Sequence, residues 1–598
     1  MNRKPKLFDL LVLTCFAAFI TYQPYLLHHE IIMMETGIHL PGIRALFHGA
    51  VPYRDFLYFR GPLELYVPAI LMRLFGENMI WLPVFYYAGT VLTLIFAIVL
   101  AFQLYGTRFA LYLMVPVFAA RTFPRVSFYY WGGMRYALGM LALIFAVQGF
   151  RSVKRSWMLG AGAVSCLAFW TTIEAGVCTV FAVGGALILS WMFRVQERGQ
   201  IANMLKVYLA GFLLVFLPVA AVMAFQGALA PYVQATDIVL TKSFKTFPNG
   251  PGLHPVGVMG FLRAMVPGDK FFQSMTPVYF YALLFGYFIY SIGKYKKRML
   301  LENSFSMQQR RYDERSEEFS CRKKKGMFDG QLSCLLSVAL YGIILYITGF
   351  RRLDGHHFEM ALQPEKVLYF FLLEEAYLLI LSARFAEAQR LKANVSAGWQ
   401  YLWTRKKIFA ANFLIIALIG SSLGYAVTRY SRRFVMFKFI QGCFSGGMDK
   451  DLSLLHDVPK RPVHIARAEG MVVPTWQADE MEGIVGFLEK NTDPDEAVFT
   501  YPELGNFNFW VDRPFVGRFP IVTFSWMDER WYAELVANLT NHLPRYVIMT
   551  NPGHRTFPKE WYFRNKANIK KYNDMTQFIL DRYEVVQPYE SVSLYKRK

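Results

Sequence analysis

Apolar runs long enough to cross a membrane recur along the first 428 residues of the chain. A transmembrane helix needs about 20 apolar residues. Eleven segments meet or approach that length, at about 7–28, 79–103, 109–121, 133–150, 157–170, 176–193, 207–227, 276–292, 330–349, 364–383 and 408–428. The run 63–75 is only about 13 residues long, short enough to be an interfacial or re-entrant helix that does not cross. The pattern predicts an all-α polytopic membrane domain with about eleven transmembrane helices over residues 1–428.

Residues 429–598 have a different pattern, in which strand-like and helix-like segments alternate. Segments 497–503 and 545–550 are mostly apolar and predict buried strands, and 479–490 predicts an amphipathic helix with its polar face outward. The last residues predict two strands around a turn at Pro588. We therefore expect a small C-terminal α/β domain over residues 429–598, which begins with an irregular stretch near 429–474.

The composition agrees with a membrane protein. Of the 598 residues, 55% are hydrophobic and 18% are charged, whereas soluble domains contain about 25% charged residues. Six cysteines in a chain of this length cannot form a disulfide framework. These values exclude a disordered chain, a disulfide scaffold and a single soluble enzyme domain.

The formal net charge of +21 does not indicate a nucleic-acid partner. Residues 429–598 carry 23 Lys+Arg against 21 Asp+Glu, so the excess lies almost entirely in residues 1–428. Basic residues in short loops between apolar runs follow the positive-inside rule. We therefore expect the basic segments in the cytoplasm; these are Arg3, Lys4 and Lys6 and the loops 151–155, 194–198, 294–325 and 384–407.

This arrangement places the N-terminus in the cytoplasm and residues 429–598 outside. The first span has a basic start but no small-residue cleavage site, so we expect it to be retained as an anchor. An ionisable residue near bilayer depth suggests a functional site, because burying it is costly. Such residues cluster in the segments predicted to be outside, which indicates an outward-facing cavity; those segments are 29–78 (the first loop), 122–132, 171–175, 228–275 and 350–362.

Several common catalytic signatures are absent from the sequence. It contains no G-x-x-x-x-G-K-[ST] phosphate loop, no H-E-x-x-H zinc motif and no G-x-S-x-G nucleophile elbow. The six cysteines include no pair at metal-ligand spacing. A P-loop ATPase, a serine nucleophile and a cysteine-held zinc therefore have no support.

The first loop resembles the corresponding loop of GT-C membrane glycosyltransferases, especially bacterial members similar to protein mannosyltransferases and lipid A aminoarabinose transferases. Glu35-Thr36-Gly37 matches an acid-x-G motif, although Asp is commoner than Glu in that family. Residues 49–56 match G-x-x-P-Y-R-D-F, and residues 73–76 match R-L-F-G.

Two later segments extend the resemblance. Residues 349–364 contain an R-x-D-x-x-H element formed by Arg352, Asp354 and His357. A weaker match is TTIEAG at 171–176, which contains Glu174. The resemblance covers most of the chain but depends on the first loop and on 349–364.

The resemblance implies a GT-C fold and an inverting transfer of a sugar from a polyprenyl-phosphate donor to an acceptor hydroxyl. The reaction would take place on the outer face of the bacterial cytoplasmic membrane, among membrane lipids, with an envelope glycan, lipid or protein as acceptor. It requires no cofactor, and the sequence gives a divalent metal no specific support. A carboxylate would deprotonate the acceptor, and cations would stabilise the departing phosphate. The implied catalytic residues are Glu35 and Asp55, and the implied phosphate- and substrate-binding residues are Arg54, Arg60, Glu174, Arg352, Asp354, His356 and His357.

Each candidate residue also has a structural interpretation. Glu35 is compatible with a solvated loop acid or a helix-start residue, and Arg54-Asp55 with an ion pair that fixes the turn after Pro52. The polar residues of 352–357 are compatible with interfacial anchors or a metal site. For the whole chain, the alternatives are a secondary transporter, whose usual inverted repeats are not visible here, and a non-catalytic envelope assembly or sensor protein.

The charge distribution gives a test of topology. A reporter fused after Lys598 should be extracytoplasmic, and one inserted near Ser316 should be cytoplasmic, because residues 294–325 contain 11 Lys+Arg and resist translocation. Alkaline phosphatase and green fluorescent protein fusions measure the two locations. Both reporters on one side would mean that the number of spans is wrong by an odd number.

Overall fold

The computed structural model describes residues 6–21, 27–28, 30–108, 110–112, 114, 133–193, 195, 197–238, 241, 257–266, 275, 277–293, 316–350, 362–393, 459–554, 557 and 566–598. Within the first 428 residues the described chain is almost entirely helical. Its helices are α1 (Leu7–Thr21), α2 (Met33–Gly37), α3 (Leu40–Phe47), α4 (Pro62–Phe75), α5 (Trp81–Leu104), α6 (Gly133–Ser152), α7 (Arg155–Thr171), α8 (Ile173–Met192), α9 (Arg198–Phe225), α10 (Leu229–Asp237), α11 (Gly257–Ala264), α12 (Pro277–Gly293), α13 (Ser316–Phe350) and α14 (Gln363–Ala393).

Five segments of the described chain are helices long and apolar enough to cross a membrane: α5, α6, α8, α9 and Gly330–Thr348 within α13. Helices meet the constraint that backbone groups in lipid must be satisfied within their own segment. Four further predicted spans coincide with helices α1, α7, α12 and α14. The prediction of a multi-pass α-helical membrane domain is confirmed. The predicted span 109–121 lies largely outside the described residues, and 408–428 lies entirely outside them.

Small residues bring two of these helices into close contact. A Cβ at Gly162 of α7 would collide with the carbonyl oxygen of Tyr208 in α9, and a Cβ at Gly211 of α9 would collide with the carbonyl of Leu159. Glycine on each helix therefore allows the two backbones to touch. This is the usual way in which membrane helices gain packing contacts without a hydrophobic driving force.

The first loop is built from α2, α3 and α4, and α4 is the predicted juxtamembrane helix. The loop is fixed to the membrane helices at Gly61, whose N–H donates to the Thr171 carbonyl over 2.9 Å. Gly61 has no space for a side chain, because a Cβ there would overlap the carbonyls of Trp170 and Thr171. The start of α4 therefore lies against the turn between α7 and α8.

The C-terminal domain, which the structure describes from residue 459 onwards, contains a mixed β-sheet. β3 and β4 are parallel, with Val498 opposite Tyr546, and the other neighbours in the sheet order β3-β4-β6-β5 are antiparallel. The described elements are β1 (Lys460–Pro462), β2 (Val472–Pro474), α15 (Thr475–Asn491), β3 (Val498–Tyr501), α16 (Asn506–Trp510), α17 (Glu529–Asn541), β4 (Tyr546–Thr550), α18 (Lys566–Arg582), β5 (Tyr583–Pro588) and β6 (Val592–Arg597).

The predicted strands and helix of this domain are confirmed. Every residue of β3 and β4 is buried, which explains why neither strand alternates between apolar and charged positions. The predicted irregular stretch is wrong in its last part, because β1 and β2 pair antiparallel with Arg461 opposite Val473. Strands of three residues have too short a pattern to be recognised in the sequence.

One hydrophobic core joins the first loop to the C-terminal domain. It contains Ile31, Ile38 and Leu65 of the loop, and Met481 and Phe507 of the domain. A second core lies among the membrane helices and includes Leu94, Leu143 and Val338. The first loop therefore packs between the membrane helices and the C-terminal domain.

Candidate active site

Glu35 is a buried acid in the short helix α2. The helix starts at Met33, after Ile32 in an extended conformation (φ −80°, ψ 96°). Ile31 and Ile38 on either side are buried, and only 7% of Glu35 is exposed. The acid of the acid-x-G motif is therefore placed inside the molecule, and the interpretation of Glu35 as a solvated loop acid is wrong.

Arg60 links Glu35 to a second carboxylate. Its Nη2 lies 3.2 Å from Glu35 Oε2, and its Nη1 lies 3.0 Å from Glu64 Oε2 and 3.1 Å from the Tyr86 hydroxyl. Burial lowers the pKa of Arg60, but Glu64, Tyr86 and Glu35 outweigh that effect and raise it well above its ordinary value. The guanidinium is thus permanently charged between two acids.

Glu35 keeps one oxygen free of this interaction. Arg60 binds Oε2, and Oε1 makes no hydrogen bond to any residue in the described parts of the chain. The side chain of Arg60 is 15% exposed and that of Glu35 8% exposed. The pair is therefore largely shielded from solvent.

A buried histidine lies next to Arg60. The Tyr58 hydroxyl lies 2.8 Å from His39 Nδ1, and the Tyr86 hydroxyl lies 2.9 Å from His39 Nε2. Burial lowers the pKa of His39 well below its ordinary value, and the charges of Arg60 and Arg135 lower it further. His39 is therefore neutral, with one ring nitrogen as donor and the other as acceptor.

Sequence analysis did not identify Glu64, His39, Tyr58 or Tyr86 as site residues. One signal was present for Glu64, since Arg60 and Glu64 are four residues apart across the start of α4 and interact as an i,i+4 pair. His39 and Tyr86 are 47 residues apart in the sequence, so no local sequence pattern predicts their contact.

Arg54 and Asp55 form a separate ion pair near the surface. Arg54 Nε and Nη2 donate to the two oxygens of Asp55 over 2.7 and 2.8 Å, and the Val51 N–H donates to Asp55 Oδ2 over 2.8 Å. The hydrogen bonds from Arg54 lower the pKa of Asp55, and burial opposes them only in part. Arg54 also donates to the Gln226 carbonyl after α9 over 3.1 Å. This geometry fixes a turn and ties it to a membrane helix.

An apolar groove of about 360 Å³ opens between the first loop and the end of α9. Tyr53 lines it and also donates its hydroxyl to the Arg60 carbonyl over 2.6 Å. Tyr53 has φ 67°, in the left-handed region, where non-glycine residues are strained. The other walls include Pro52, Pro62, Leu63, Tyr66, Pro218, Val219, Val222 and Met223.

Within the described residues, the remaining candidates make no contact with Glu35. Glu174 is an exposed residue in the first turn of α8, three residues after Thr171. Arg352, Asp354, His356 and His357 lie outside the described residues. Within the described ranges, no group of three His, Cys, Asp or Glu side chains could hold a metal ion.

The chain shares its fold with solved structures of ArnT from Cupriavidus metallidurans. The structure bound to undecaprenyl phosphate aligns with a TM-score of 0.50 and 12% identity, over 99% of this chain and 98% of that one. The apo structure aligns with a TM-score of 0.50 and 12% identity, over 98% and 97%. The GT-C-like fold predicted from two motifs is therefore confirmed over nearly the whole chain.

A structure of an oligosaccharyltransferase from Archaeoglobus fulgidus also aligns, with a TM-score of 0.44 and 10% identity, over 91% of this chain and 68% of that one. No protein-family model and no curated protein matches the sequence.

The neutral His39 predicts a pH dependence of stability. In the unfolded chain His39 gains a proton near pH 6.5, whereas the folded protein resists protonation, so stability should fall as the pH drops below about 6.5. His39→Gln should remove that part of the dependence, which thermal unfolding in detergent between pH 5 and 8 measures (about 1.5 units on either side of the ordinary histidine pKa). Parallel curves for the two proteins would contradict this assignment.

Proposed function

We propose that this chain is a membrane glycosyltransferase that moves a sugar from a polyprenyl-phosphate donor to an acceptor hydroxyl with inversion at the anomeric carbon. The observation that carries the proposal is the environment of Glu35. This acid of the acid-x-G motif is buried and forms an ion pair with Arg60, in a chain that shares the fold of ArnT. The ArnT structure contains undecaprenyl phosphate, which supports a lipid phosphate as part of the donor.

In this proposal Glu35 is the general base. The acceptor hydroxyl attacks the anomeric carbon while the bond from that carbon to the phosphate oxygen breaks on the opposite side. The acceptor proton passes to Glu35 Oε1, the oxygen that Arg60 does not bind, and the phosphate leaves with the electron pair. The sugar is already activated by its phosphate ester, so the reaction needs no ATP.

The cations of the site would stabilise the phosphate as charge develops on it. Arg60 is the buried one, while Arg54 lies half exposed beside the groove. We assign the donor phosphate to these two residues and to Arg352, His356 and His357, with Asp354 and Glu174 as further substrate contacts. The apolar groove supports the proposal because a polyprenyl chain needs a lipid-like surface beside the reacting phosphate.

The proposed setting is the bacterial cytoplasmic membrane, with the N-terminus in the cytoplasm and the C-terminal domain outside. The acceptor would be an envelope glycan, lipid or protein. The decisive experiment is mass analysis of envelope glycans and polyprenyl-phosphate sugars in a deletion strain. Loss of one sugar together with accumulation of its lipid donor would support the proposal and identify the substrate, and unchanged profiles would overturn it.

Glu35→Gln tests the assignment of the base. The amide keeps the size of the side chain but cannot accept the proton, so transfer should slow by about 10²–10⁴-fold while donor binding persists. Glu35→Asp should retain part of the activity. The assay is sugar transfer by purified protein, with the donor that accumulates in the deletion strain.

Asp55→Asn is the matched control for Glu35→Gln. Asp55 has a lowered pKa and two hydrogen bonds from Arg54, so it is a poor base, and its loss should change the stability of the loop more than the rate. Loss of activity in Asp55→Asn with a fully active Glu35→Gln would reverse the two roles.

Arg352→Ala and His357→Ala test the second motif. A cation near the departing phosphate acts mainly in the transition state, so kcat should fall by at least about tenfold with little change in protein level. Transfer assays on membranes with quantified protein give the comparison. Normal rates in both variants would remove this motif from the mechanism.

A further inference from the structure

The segment that carries Glu35 cannot maintain its own shape. Helix α2 has five residues and no side-chain cap at its N-terminus. Helices this short are unstable in isolation, because nucleation fixes several backbone angles for very few hydrogen bonds. The position of Glu35 must therefore be set by whatever contacts the backbone around it.

Two amide side chains of the C-terminal domain make those contacts. Gln477 of α15 pairs with the backbone of Ile31 in both directions: the Ile31 N–H donates to Gln477 Oε1 over 2.8 Å, and Gln477 Nε2 donates to the Ile31 carbonyl over 3.0 Å. Gln477 is almost fully buried. One side-chain amide thus satisfies both the N–H and the carbonyl of Ile31, and it fixes the chain four residues before Glu35.

Asn506 of α16 binds the chain on both sides of Glu35. Its Nδ2 donates to the Thr36 hydroxyl over 2.8 Å and to the Met33 carbonyl over 3.1 Å. The Thr36 hydroxyl in turn donates to the Ile32 carbonyl over 3.0 Å. Asn506 is fully buried, so these hydrogen bonds are shielded from exchange with water.

The glycine of the acid-x-G motif makes space for this contact. A Cβ at Gly37 would lie 3.2 Å from Asn506 Oδ1, and a Cβ at Gly505 would lie 3.1 Å from the Gly37 carbonyl and closer still to the Pro520 carbonyl. The two backbones therefore approach each other at glycines, one from the first loop and one from the C-terminal domain.

We propose that the C-terminal domain is part of the catalytic apparatus, because Gln477 and Asn506 act as positioning residues that fix the α2 segment where Arg60 reaches Glu35. This inference rests on the proposed role of Glu35. It assigns to the domain a function within the active site itself. Neither amide is placed in contact with the substrate.

The test compares Asn506→Ala and Gln477→Ala with the control Asn508→Ala. Asn508 lies in the same helix and is also fully buried, but it donates to the Val498 and Pro514 carbonyls over 3.0 and 3.2 Å, within the C-terminal domain. If Asn506→Ala fails to fold, Gln477→Ala still tests the inference, because it removes the hydrogen bonds that hold the same segment at Ile31.

Two measurements on the full-length protein in micelles separate positioning from general stability. Hydrogen–deuterium exchange of residues 31–37 should rise about tenfold in Asn506→Ala and Gln477→Ala, but stay as in the wild type in Asn508→Ala. In transfer from the donor that accumulates in the deletion strain, kcat per folded protein should fall about 10–100-fold in the first two variants. KM should change less than about twofold, and the control should retain the wild-type kcat.

Unchanged exchange at 31–37, unchanged kcat, or an equal loss of kcat in Asn508→Ala would overturn the inference. A wild-type protein that transfers no sugar would overturn the proposed function instead. The exchange of residues 31–37 would still decide whether the C-terminal domain positions this segment, so the two failures are distinguishable.

Discussion

The site depends on one guanidinium shared by two buried carboxylates. Glu64 is completely buried and Glu35 nearly so, and two acids placed this close in a low-dielectric environment repel each other strongly without a cation. The planar fork of Arg60 presents separate donors to each, which the single ammonium of lysine would not do with the same geometry. Arg60 thereby couples α2 to α4, and removing it alone would leave both charges uncompensated.

The sequence predicted elements whose signal is local and failed where contacts are distant. The membrane helices, α4 and the strand β3 each follow from the apolar pattern of their own residues. Glu35 could be singled out because a motif of three residues marks it. The contact of Asn506 with Thr36 joins positions 470 residues apart, and the pairing of His39 with Tyr86 requires the fold to bring a loop to a membrane helix. Neither has a local pattern.

The two ion pairs of the first loop have different physical roles although Arg54 and Arg60 are close in sequence. Arg54 and Asp55 are about half and one-third exposed, and ion pairs open to water in this way add little to stability. Their bidentate geometry and the bond to the Gln226 carbonyl orient a turn on the end of α9. The pair of Arg60 and Glu35 lies in the interior, where water does not compete. A carboxylate that acts as a general base needs this shielded environment rather than the exposed one of Asp55.

Tyr53 is the point at which the apolar and the polar parts of the site meet. Its ring forms a wall of the groove, while its hydroxyl donates to the carbonyl of Arg60. The strained φ of 67° at this residue is a cost that the surrounding contacts must offset, and strain of this kind concentrates at functional sites. The proposed reaction moves a sugar from a lipid phosphate to an acceptor hydroxyl, so it needs a lipid surface beside a shielded carboxylate. In this chain Tyr53, whose backbone is strained, lines the groove and is bonded to the residue that binds Glu35.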